Sequence, residues 1–246
     1  MNETLLAPFI SRRKSIRSFS TAPLEQSVLD DIQSFIGTVT PLFPAIRTFL
    51  EVVGKTEVRG FALAAAPQYL VLYSERNPDA DLNSGFILQQ VDLYLSSRGL
   101  GSCWQGLSRP ARQEAEGLPY VIMLAFGTAA EPVHRSSAGE FHRKPLGEIS
   151  SGCAISRYGE AVRLAPSAMN KQPWFFCGDG KCCRAFSVQG KGLISIGNGW
   201  RYIDLGIALC HLYLAATADG RKVSFRREDS IPDSSGNEYV LSCRID

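Results

Sequence analysis

The chain repeats a short pattern of residues at a constant distance. Asp92-Leu93-Tyr94-Leu95 recurs as His211-Leu212-Tyr213-Leu214, and Tyr120-Val121 recurs as Tyr239-Val240, so both matches lie 119 residues apart. A helix pattern followed by a strand pattern at one offset indicates an internal duplication. Because the matched residues are few and common in protein cores, chance is the competing explanation. A duplicated chain predicts two related halves.

Composition restricts the classes of protein to which the chain can belong. With 246 residues, 45% of them hydrophobic and 20% charged, it is typical of a globular protein. A formal net charge of +2 argues against general nucleic-acid binding, which needs a basic excess over a whole face. No run approaches the roughly 20 apolar residues of a membrane span, and the N-terminus shows no signal-peptide pattern. We therefore expect a cytoplasmic protein whose partners include neither nucleic acid nor membrane.

The cysteines do not predict a metal site. There are seven, without the regular spacing of a disulfide framework, so we expect reduced thiols. No C-x-x-C pair is present, and the adjacent Cys182 and Cys183 make a poor chelating pair. The expected number of metal ions is therefore zero.

Local patterns predict several helices and strands. Helical spacing of apolar residues marks the helices, and short apolar runs rich in strand formers mark buried strands. Asn83 or Ser84 is expected to cap the longest helix, and Gly99 and Gly101 to end it in the left-handed conformation. The predicted elements are helices at 24–35, 46–53 and 85–98 and strands at 69–73 and 120–126.

The stretch Ser11–Phe19 concentrates four cations and three hydroxyls in nine residues. If the stretch is helical, Arg13 and Arg17 lie one turn apart with Ser15 between them, so that charge and hydroxyl converge on one anion. The alternative is a solvated basic face.

Four segments together resemble the motifs of the FMN-dependent nitroreductase family. Arg13–Phe19 resembles the R-x-S-x-R motif and Gly99–Trp104 the G-L-G-T-C-W segment. Arg143–Leu146 resembles R-K-P-L, and Ala165–Trp174 resembles A-P-S-x-x-N-x-Q-P-W. In ordinary members the A-P-S motif follows soon after R-x-S-x-R, whereas here it stands in the second half. The order resembles the fused single-chain branch, the TM nitroreductases, in which two degenerate halves mimic a dimer.

The resemblance implies an α+β, nitroreductase-like fold. We expect a central mixed or antiparallel sheet flanked by helices, with two pseudo-symmetric halves forming one compact unit. The halves are predicted at 1–150, with the FMN phosphate and ring contacts, and at 151–246, a degenerate half that completes the site. The boundary is placed near Ser150–Gly152. One FMN per chain and a monomer that acts as a pseudo-dimer are the implied assembly.

The resemblance also implies how FMN is bound. Arg13 and Arg143 are expected at the phosphate, because a guanidinium matches phosphate bidentately. Arg17 is expected near the ring atoms N1 and O2, where negative charge builds on reduction. The resemblance also implies that a main-chain N–H of Trp104, Gln105 or Gly106 faces N5. The complete set implied for FMN binding is Arg13, Lys14, Ser15, Arg17, Gly101, Cys103, Trp104, Gln105, Gly106, Arg143, Lys144, Pro166, Ser167 and Asn170.

The implied activity is an oxidoreductase that takes electrons from NADH or NADPH and passes them to a small acceptor by a ping-pong mechanism. Nitroaromatics and quinones are the acceptors implied by the family, and the chemistry needs no protein nucleophile. A flavin-binding sensor or storage protein without turnover is an alternative, and a relic that no longer binds the nucleotide is another. Flavin bands that bleach with NADH or NADPH would favour the enzyme.

Overall fold

The computed structural model describes residues 2–61, 63–152, 155–179, 182–189, 198–229, 231 and 236–246. The described helices are α1 (Asn2–Leu6), α2 (Gln26–Ile36), α3 (Ala80–Ser97), α4 (Leu146–Ile149), α5 (Gly159–Arg163) and α6 (Arg201–Ala218). The described strands are β1 (Thr48–Gly54), β2 (Val58–Gly60), β3 (Gln68–Ser74), β4 (Gly101–Gln105), β5 (Ser108–Pro110), β6 (Glu114–Ala115), β7 (Leu118–Gly127), β8 (Ser150–Gly152), β9 (Trp174–Gly178), β10 (Cys182–Ser187), β11 (Val223–Arg226) and β12 (Glu238–Ile245).

The chain divides into two compact units, residues 11–140 and residues 1–10 together with 141–246. This division differs from the predicted boundary near residue 150, because Ser150–Gly152 form strand β8 and pair in parallel with β9. This stretch of small residues therefore forms the edge strand of a sheet, although its composition is typical of a linker.

In the unit of residues 11–140, the sheet has the strand order β1-β3-β7-β4, and every pair is antiparallel. All seven residues of β3 are buried, which agrees with its continuous apolar sequence. Helix α3 is also buried along nearly its whole length and makes contacts with β3, β4 and β7.

In the other unit, the sheet has the order β11-β12-β10-β9-β8. Its antiparallel part, β9-β10-β12-β11, repeats the order β1-β3-β7-β4 of the first sheet. Helices α3 and α6 are both 18 residues long, and each lies in sequence between the second and third strands of this pattern. Both helices end at a glycine with a left-handed backbone, Gly99 at φ 73° and Gly220 at φ 75°.

The repeated Tyr-Val pairs occupy matching places in the two sheets. The register between β3 and β7 shifts so that Val121 is passed over and Tyr120 faces Tyr73. In β10 and β12, Val240 is passed over and Tyr239 faces Phe186. The aromatic rings meet edge to face in both sheets, at centroid distances of 6.4 Å and 5.8 Å. The same bulge and the same ring contact thus recur at the offset seen in the sequence.

The α+β class predicted from the sequence is confirmed, and so are the strands near 69–73 and 120–126. The predicted helix at 46–53 is wrong, because this segment forms β1 and pairs along its whole length with β3. Its apolar residues fit a helical period, but Phe49, Val52 and Val53 are also strand formers, and pairing with a buried strand decides between the two.

The start of α3 also differs from the prediction. Asn83 and Ser84 lie inside the helix and do not cap it; the Asn83 side chain accepts the N–H of Phe43 at 3.0 Å, and the Ser84 hydroxyl donates to Ala80 O at 2.7 Å. The helix begins earlier, after a turn in which the Asn77 side chain accepts the N–H of Asp79. Gly99 ends the helix in the left-handed conformation as predicted, whereas Gly101 is already in β4.

Candidate functional site

The R-x-S-x-R segment is extended, and the helical interpretation is wrong. Ser15 pairs in parallel with Ser102 of β4, and the Ile16 N–H donates to Ser102 O at 2.9 Å. In an extended chain, residues two apart share a side, so Arg13, Ser15 and Arg17 face one way and Ile16 the other. The Arg13 guanidinium donates to the Ser15 hydroxyl at 3.2 Å. The motif spacing of two therefore places these three polar side chains on one side of an extended segment.

Arg13 is buried, with only 1% of its side chain exposed, and it faces the fully buried carboxylate of Asp92. Its Nε lies 3.0 Å from Asp92 Oδ2, but the N–H bond does not point at that oxygen. Its Nη1 has no hydrogen-bond partner among the described residues. Arg13 is thus compensated in charge but retains unused donors, an expensive state for a buried group.

Asp92 contacts residues of both motifs of this unit. It lies on α3, accepts from the Ser102 hydroxyl at 2.5 Å and from the Gln89 amide at 3.1 Å, and pairs with Arg13. Sequence reasoning used Asp92 only as part of the repeat and missed it as a site residue. The signal in the sequence was a carboxylate in the middle of a predicted helix with many apolar residues. A carboxylate that is buried with such a helix needs a cation as its partner.

Arg17 is the exposed cation of the segment. Among the described residues its guanidinium makes neither an ion pair nor a hydrogen bond. Its charge reaches the Cys103 thiol, where Arg17 and Arg13 both oppose the rise in pKa that burial causes; burial is the larger effect, so the pKa of Cys103 is raised. A buried thiol with a raised pKa stays protonated, which is typical of a packing residue.

Lys14 points away from this side of the segment and pairs with Glu131 at 3.1 Å. Both side chains are partly exposed, so the pair contributes little to stability. The neighbouring position in an extended chain faces the opposite way from Arg13 and Ser15. In this unit Lys14 therefore stands apart from the other residues of the motif.

Hydrogen bonds of the Gln105 side chain hold the residues after Gly101. The Gln105 side chain accepts the N–H of Ala64 at 3.0 Å and donates to the carbonyls of Cys103 and Trp104, both at 3.2 Å. The indole N–H of Trp104 is buried and has no partner among the described residues. Gly106 is exposed immediately after β4. This strand end therefore carries a further unused donor in the same unit as Arg13.

In the other unit, the A-P-S loop has an unusual backbone. Met169, Asn170 and Gln172 all have φ between 50° and 57°, a left-handed region that residues other than glycine seldom occupy. Such strain persists only where the surroundings enforce it, and it is concentrated at functional sites. The Gln172 N–H donates to the Ser167 hydroxyl at 2.9 Å, so the loop is closed on itself.

Arg143 joins the R-K-P-L segment to this loop. Its guanidinium donates to Asn170 Oδ1 at 2.6 Å and to Ala165 O at 3.1 Å, and the Asn170 amide donates back to His142 O at 2.6 Å. The Lys144 N–H donates to Gln172 Oε1 at 2.8 Å, and its ammonium to Gln172 O at 3.2 Å. The two sequence motifs therefore form one hydrogen-bonded cluster.

A buried carboxylate on α6 supports the same loop. Asp204 Oδ1 accepts the N–H of Ala168 at 2.9 Å, and Oδ2 has no partner among the described residues. Burial raises the pKa of Asp204 to about 7, opposed by the hydrogen bond from Ala168 and by the charge of Lys171. Sequence reasoning did not identify Asp204. The predicted site residues thus form two groups, one in each unit: Arg13, Lys14, Ser15, Arg17, Gly101, Cys103, Trp104, Gln105 and Gly106, and Arg143, Lys144, Pro166, Ser167 and Asn170.

Comparison with known proteins places these motifs in a family. Residues 6–216 match the model of the family described as "Putative TM nitroreductase". The chain belongs to this nitroreductase family. Membership in it supports oxidoreductase activity as the general class of function.

A solved nitroreductase-family structure shows the fold over the whole chain. A Thermotoga maritima protein described as a putative nitroreductase is 24% identical, with a TM-score of 0.66, and the match covers 100% of this chain and 94% of that one. A nitroreductase family protein from Clostridium difficile is 17% identical, with a TM-score of 0.46, over 61% of this chain and 96% of its own. A Desulfitobacterium hafniense nitroreductase with bound FMN is also 17% identical, with a TM-score of 0.41, over 59% of this chain and 100% of its own. Among curated protein sequences, none matches.

Two further searches covered only the described residues. No group of three or more histidine, cysteine, aspartate or glutamate side chains there could hold a metal ion. The described helices include none that combines the length and the apolar character needed to cross a membrane. The six cysteines in the described part are free thiols, and Cys153 lies outside it.

Proposed function

We propose that this nitroreductase-family protein is an FMN-dependent oxidoreductase that takes electrons from NADH or NADPH and passes them to a small acceptor, such as a nitroaromatic or a quinone, by a ping-pong mechanism. The observation that carries the proposal is the pairing of the Arg13–Arg17 segment with β4. It brings the R-x-S-x-R motif and the G-L-G segment side by side, although they are far apart in sequence.

The unused polar groups of this region match FMN in kind. The buried atoms without partners in the two paired segments are all donors, Arg13 Nε and Nη1 and Trp104 Nε1, and the exposed Arg17 adds a cation. FMN offers phosphate, ribityl and ring oxygens, which are the acceptors that such donors lack. When bound, FMN supplies the two-electron redox chemistry, and the protein supplies binding, orientation and charge.

The roles of the arginines follow from their surroundings. Arg17 is the cation that is open to a ligand, so we assign it to the flavin ring, where a positive charge favours the reduced form. Arg13 is paired with Asp92 and acts as a hydrogen-bond donor without net charge. Arg143 donates to the A-P-S loop, so its first role is to hold Asn170 and the backbone around Ala165 in place.

We further propose one FMN per chain and a protein that arose by internal duplication. The shared strand order, the two 18-residue helices and the matching Tyr120 and Tyr239 bulges support duplication. At the repeat position of Asp92 the second half has His211, whose ring contacts Ala161 O at 2.9 Å. The second half therefore has no counterpart at this position of the carboxylate that pairs with Arg13 in the first half. Pro166, Ser167 and Asn170 are also proposed to bind FMN, in a cytoplasmic protein that is active as a monomer.

The test is an absorption spectrum of the purified protein, followed by anaerobic addition of NADH and then NADPH. We expect flavin bands at close to one FMN per chain, bleaching with at least one reductant and recovery on addition of a quinone or nitroaromatic. Flavin that does not bleach would instead support a sensor or storage protein. A protein that binds no added FMN, or two per chain, would contradict the proposal.

A further inference from the structure

We propose that Asp92 is a positioning residue for the cofactor-binding segment and that its charge cancels that of Arg13, so that Arg17 alone sets the positive charge acting on the flavin. This inference rests on the proposed function, because it concerns how the Arg13–Arg17 segment acts on bound FMN. The pairing of charges itself is a property of the protein without cofactor.

The first support is the set of bonds at Asp92. From its place on α3, Asp92 meets Arg13 on one side and the Ser102 hydroxyl on the other, at 3.0 Å and 2.5 Å. Ser102 is the residue whose carbonyl accepts the Ile16 N–H. One buried carboxylate therefore fixes both the paired segment and the strand along which it lies.

The second support is a second cation beside Arg13, the half-buried Arg135. Arg135 donates to the Arg13 carbonyl, and its pKa is lowered first by burial and then by the charge of Arg13. Lys14 is neutralised separately by Glu131 on the other side of the segment. Among the described residues, Asp92 is the carboxylate that pairs with Arg13. Removing one partner of a buried pair leaves the other charge uncompensated and is strongly unfavourable.

The third support is the contrast between the two positive groups on the same side of the strand. Arg13 is buried and faces a carboxylate, whereas Arg17 is exposed and has no acidic partner in the described part of the chain. The field of a closely paired cation and anion falls off faster with distance than that of a single charge. At a ligand beside the segment, Arg17 therefore outweighs the Arg13–Asp92 pair.

The experiment measures the midpoint potential of bound FMN in four proteins: wild type, Asp92→Asn, Arg13→Gln and the double variant. Asp92→Asn keeps the shape of the side chain and leaves the charge of Arg13 uncompensated. The affinity for reduced FMN should therefore rise roughly tenfold relative to the affinity for oxidised FMN. Arg13→Gln should shift the ratio in the opposite direction, and the double variant should return close to wild type. Opposite shifts that cancel are not produced by a role limited to packing.

Two further measurements distinguish the outcomes. Ser102→Ala removes a hydrogen bond to Asp92 without changing charge, and it should weaken FMN binding several-fold while leaving the potential unchanged. Urea unfolding of the cofactor-free proteins reports whether each single variant folds. If one single variant does not fold, the double variant Asp92→Asn with Arg13→Gln, in which both charges are removed, still tests the inference. Equal potentials in all folded variants that bind FMN would overturn the inference alone, whereas a wild-type protein that binds no FMN would overturn the proposed function as well.

Discussion

Ile16 lies directly against the α-carbon of Gly101. A Cβ placed on Gly101 would come within 2.8 Å of Ile16 Cγ2 and 2.9 Å of Ile16 Cβ, closer than carbon atoms pack. The family resemblance places Gly101 among the residues that bind FMN. The structure shows a packing role for this glycine, because its missing side chain lets the R-x-S-x-R segment pair with β4.

Gly101→Ala should therefore destabilise the protein. We expect a loss of about 1–3 kcal/mol in the free energy of unfolding, the usual cost of overpacking, measured by urea denaturation. Gly147→Ala is the matched control, since no atom of the other described residues lies within 4 Å of its Cβ position, and it should cause no loss. In the double variant Gly101→Ala with Ile16→Ala, the cost should be smaller than the sum of the two single changes. A cost equal to that sum would show that Ile16 is not the obstacle.

Arg17→Gln should separate cofactor binding from stability. Because Arg17 is exposed and has no partner among the described residues, the unfolding midpoint should stay unchanged. The midpoint potential of bound FMN should become more negative, since the reduced flavin loses a nearby cation. Arg109→Gln, at an exposed position in β5, serves as the control for general surface charge and should leave the potential unchanged. An unchanged potential in Arg17→Gln as well would remove Arg17 from the ring.

Arg143 and Asn170 should act as a unit. Arg143→Lys keeps the charge but cannot make the bonds to both Asn170 Oδ1 and Ala165 O, so FMN should be held less tightly. Asn170→Ala should have a similar effect, since it breaks the same link. Fluorescence titration of FMN should show that the double variant is little worse than either single one. Additive losses would indicate independent contacts with the ligand, as expected from the family resemblance for a phosphate ligand at Arg143.

Asp204 predicts a specific dependence of stability on pH. The pKa of its carboxyl is about 7 in the folded protein, compared with an ordinary value of 3.8, so the folded state binds the proton more tightly. Its contribution to stability is fully present below pH 3.8 and is lost as the pH rises through about 7.

Asp204→Asn removes this titration and still offers an oxygen to the Ala168 N–H. Relative to wild type, its free energy of unfolding should therefore rise by about 1.4 kcal/mol for each pH unit between the two pKa values and level off above them. Urea unfolding at pH 5 and pH 8 measures this difference. Asp219→Asn, which changes a partly exposed carboxylate paired with Arg157, is the control for the loss of one surface charge. Parallel pH profiles for Asp204→Asn and wild type would contradict the prediction.

The motifs could be identified from the sequence because each is a short run of neighbouring residues. Their conformation could not be predicted, because it depends on pairing with residues far along the chain. Arg13–Arg17 has residue spacings that suit a helix or a strand, and only pairing with Ser102, far along the chain, decides for the strand. The segment at 46–53 was mispredicted for the same reason, since its partner is the buried strand β3. Gly99 was predicted correctly because a left-handed helix end depends on the residue itself.

Asp92 and Asp204 show a second limit of sequence reading. Each is a buried carboxylate within a long, mostly buried helix, and one acidic residue by itself carries no motif. Their importance arises from the groups that folding brings to them, Arg13 and Ser102 in one case and the Ala168 N–H in the other. Burial supplies the information that the sequence lacks, because it makes an unpaired carboxylate costly.

The first ten residues belong with residues 141–246, so one compact unit is continuous in sequence and the other is not. During synthesis, a continuous unit can fold once its last residue has left the ribosome, whereas a discontinuous one waits for its later part. The ion pair of Arg13 with Asp92 lies within the continuous unit, so we expect it to form before the A-P-S loop has been translated. Helix α1 contacts α6, so it should reach its final partners only after translation has passed α6.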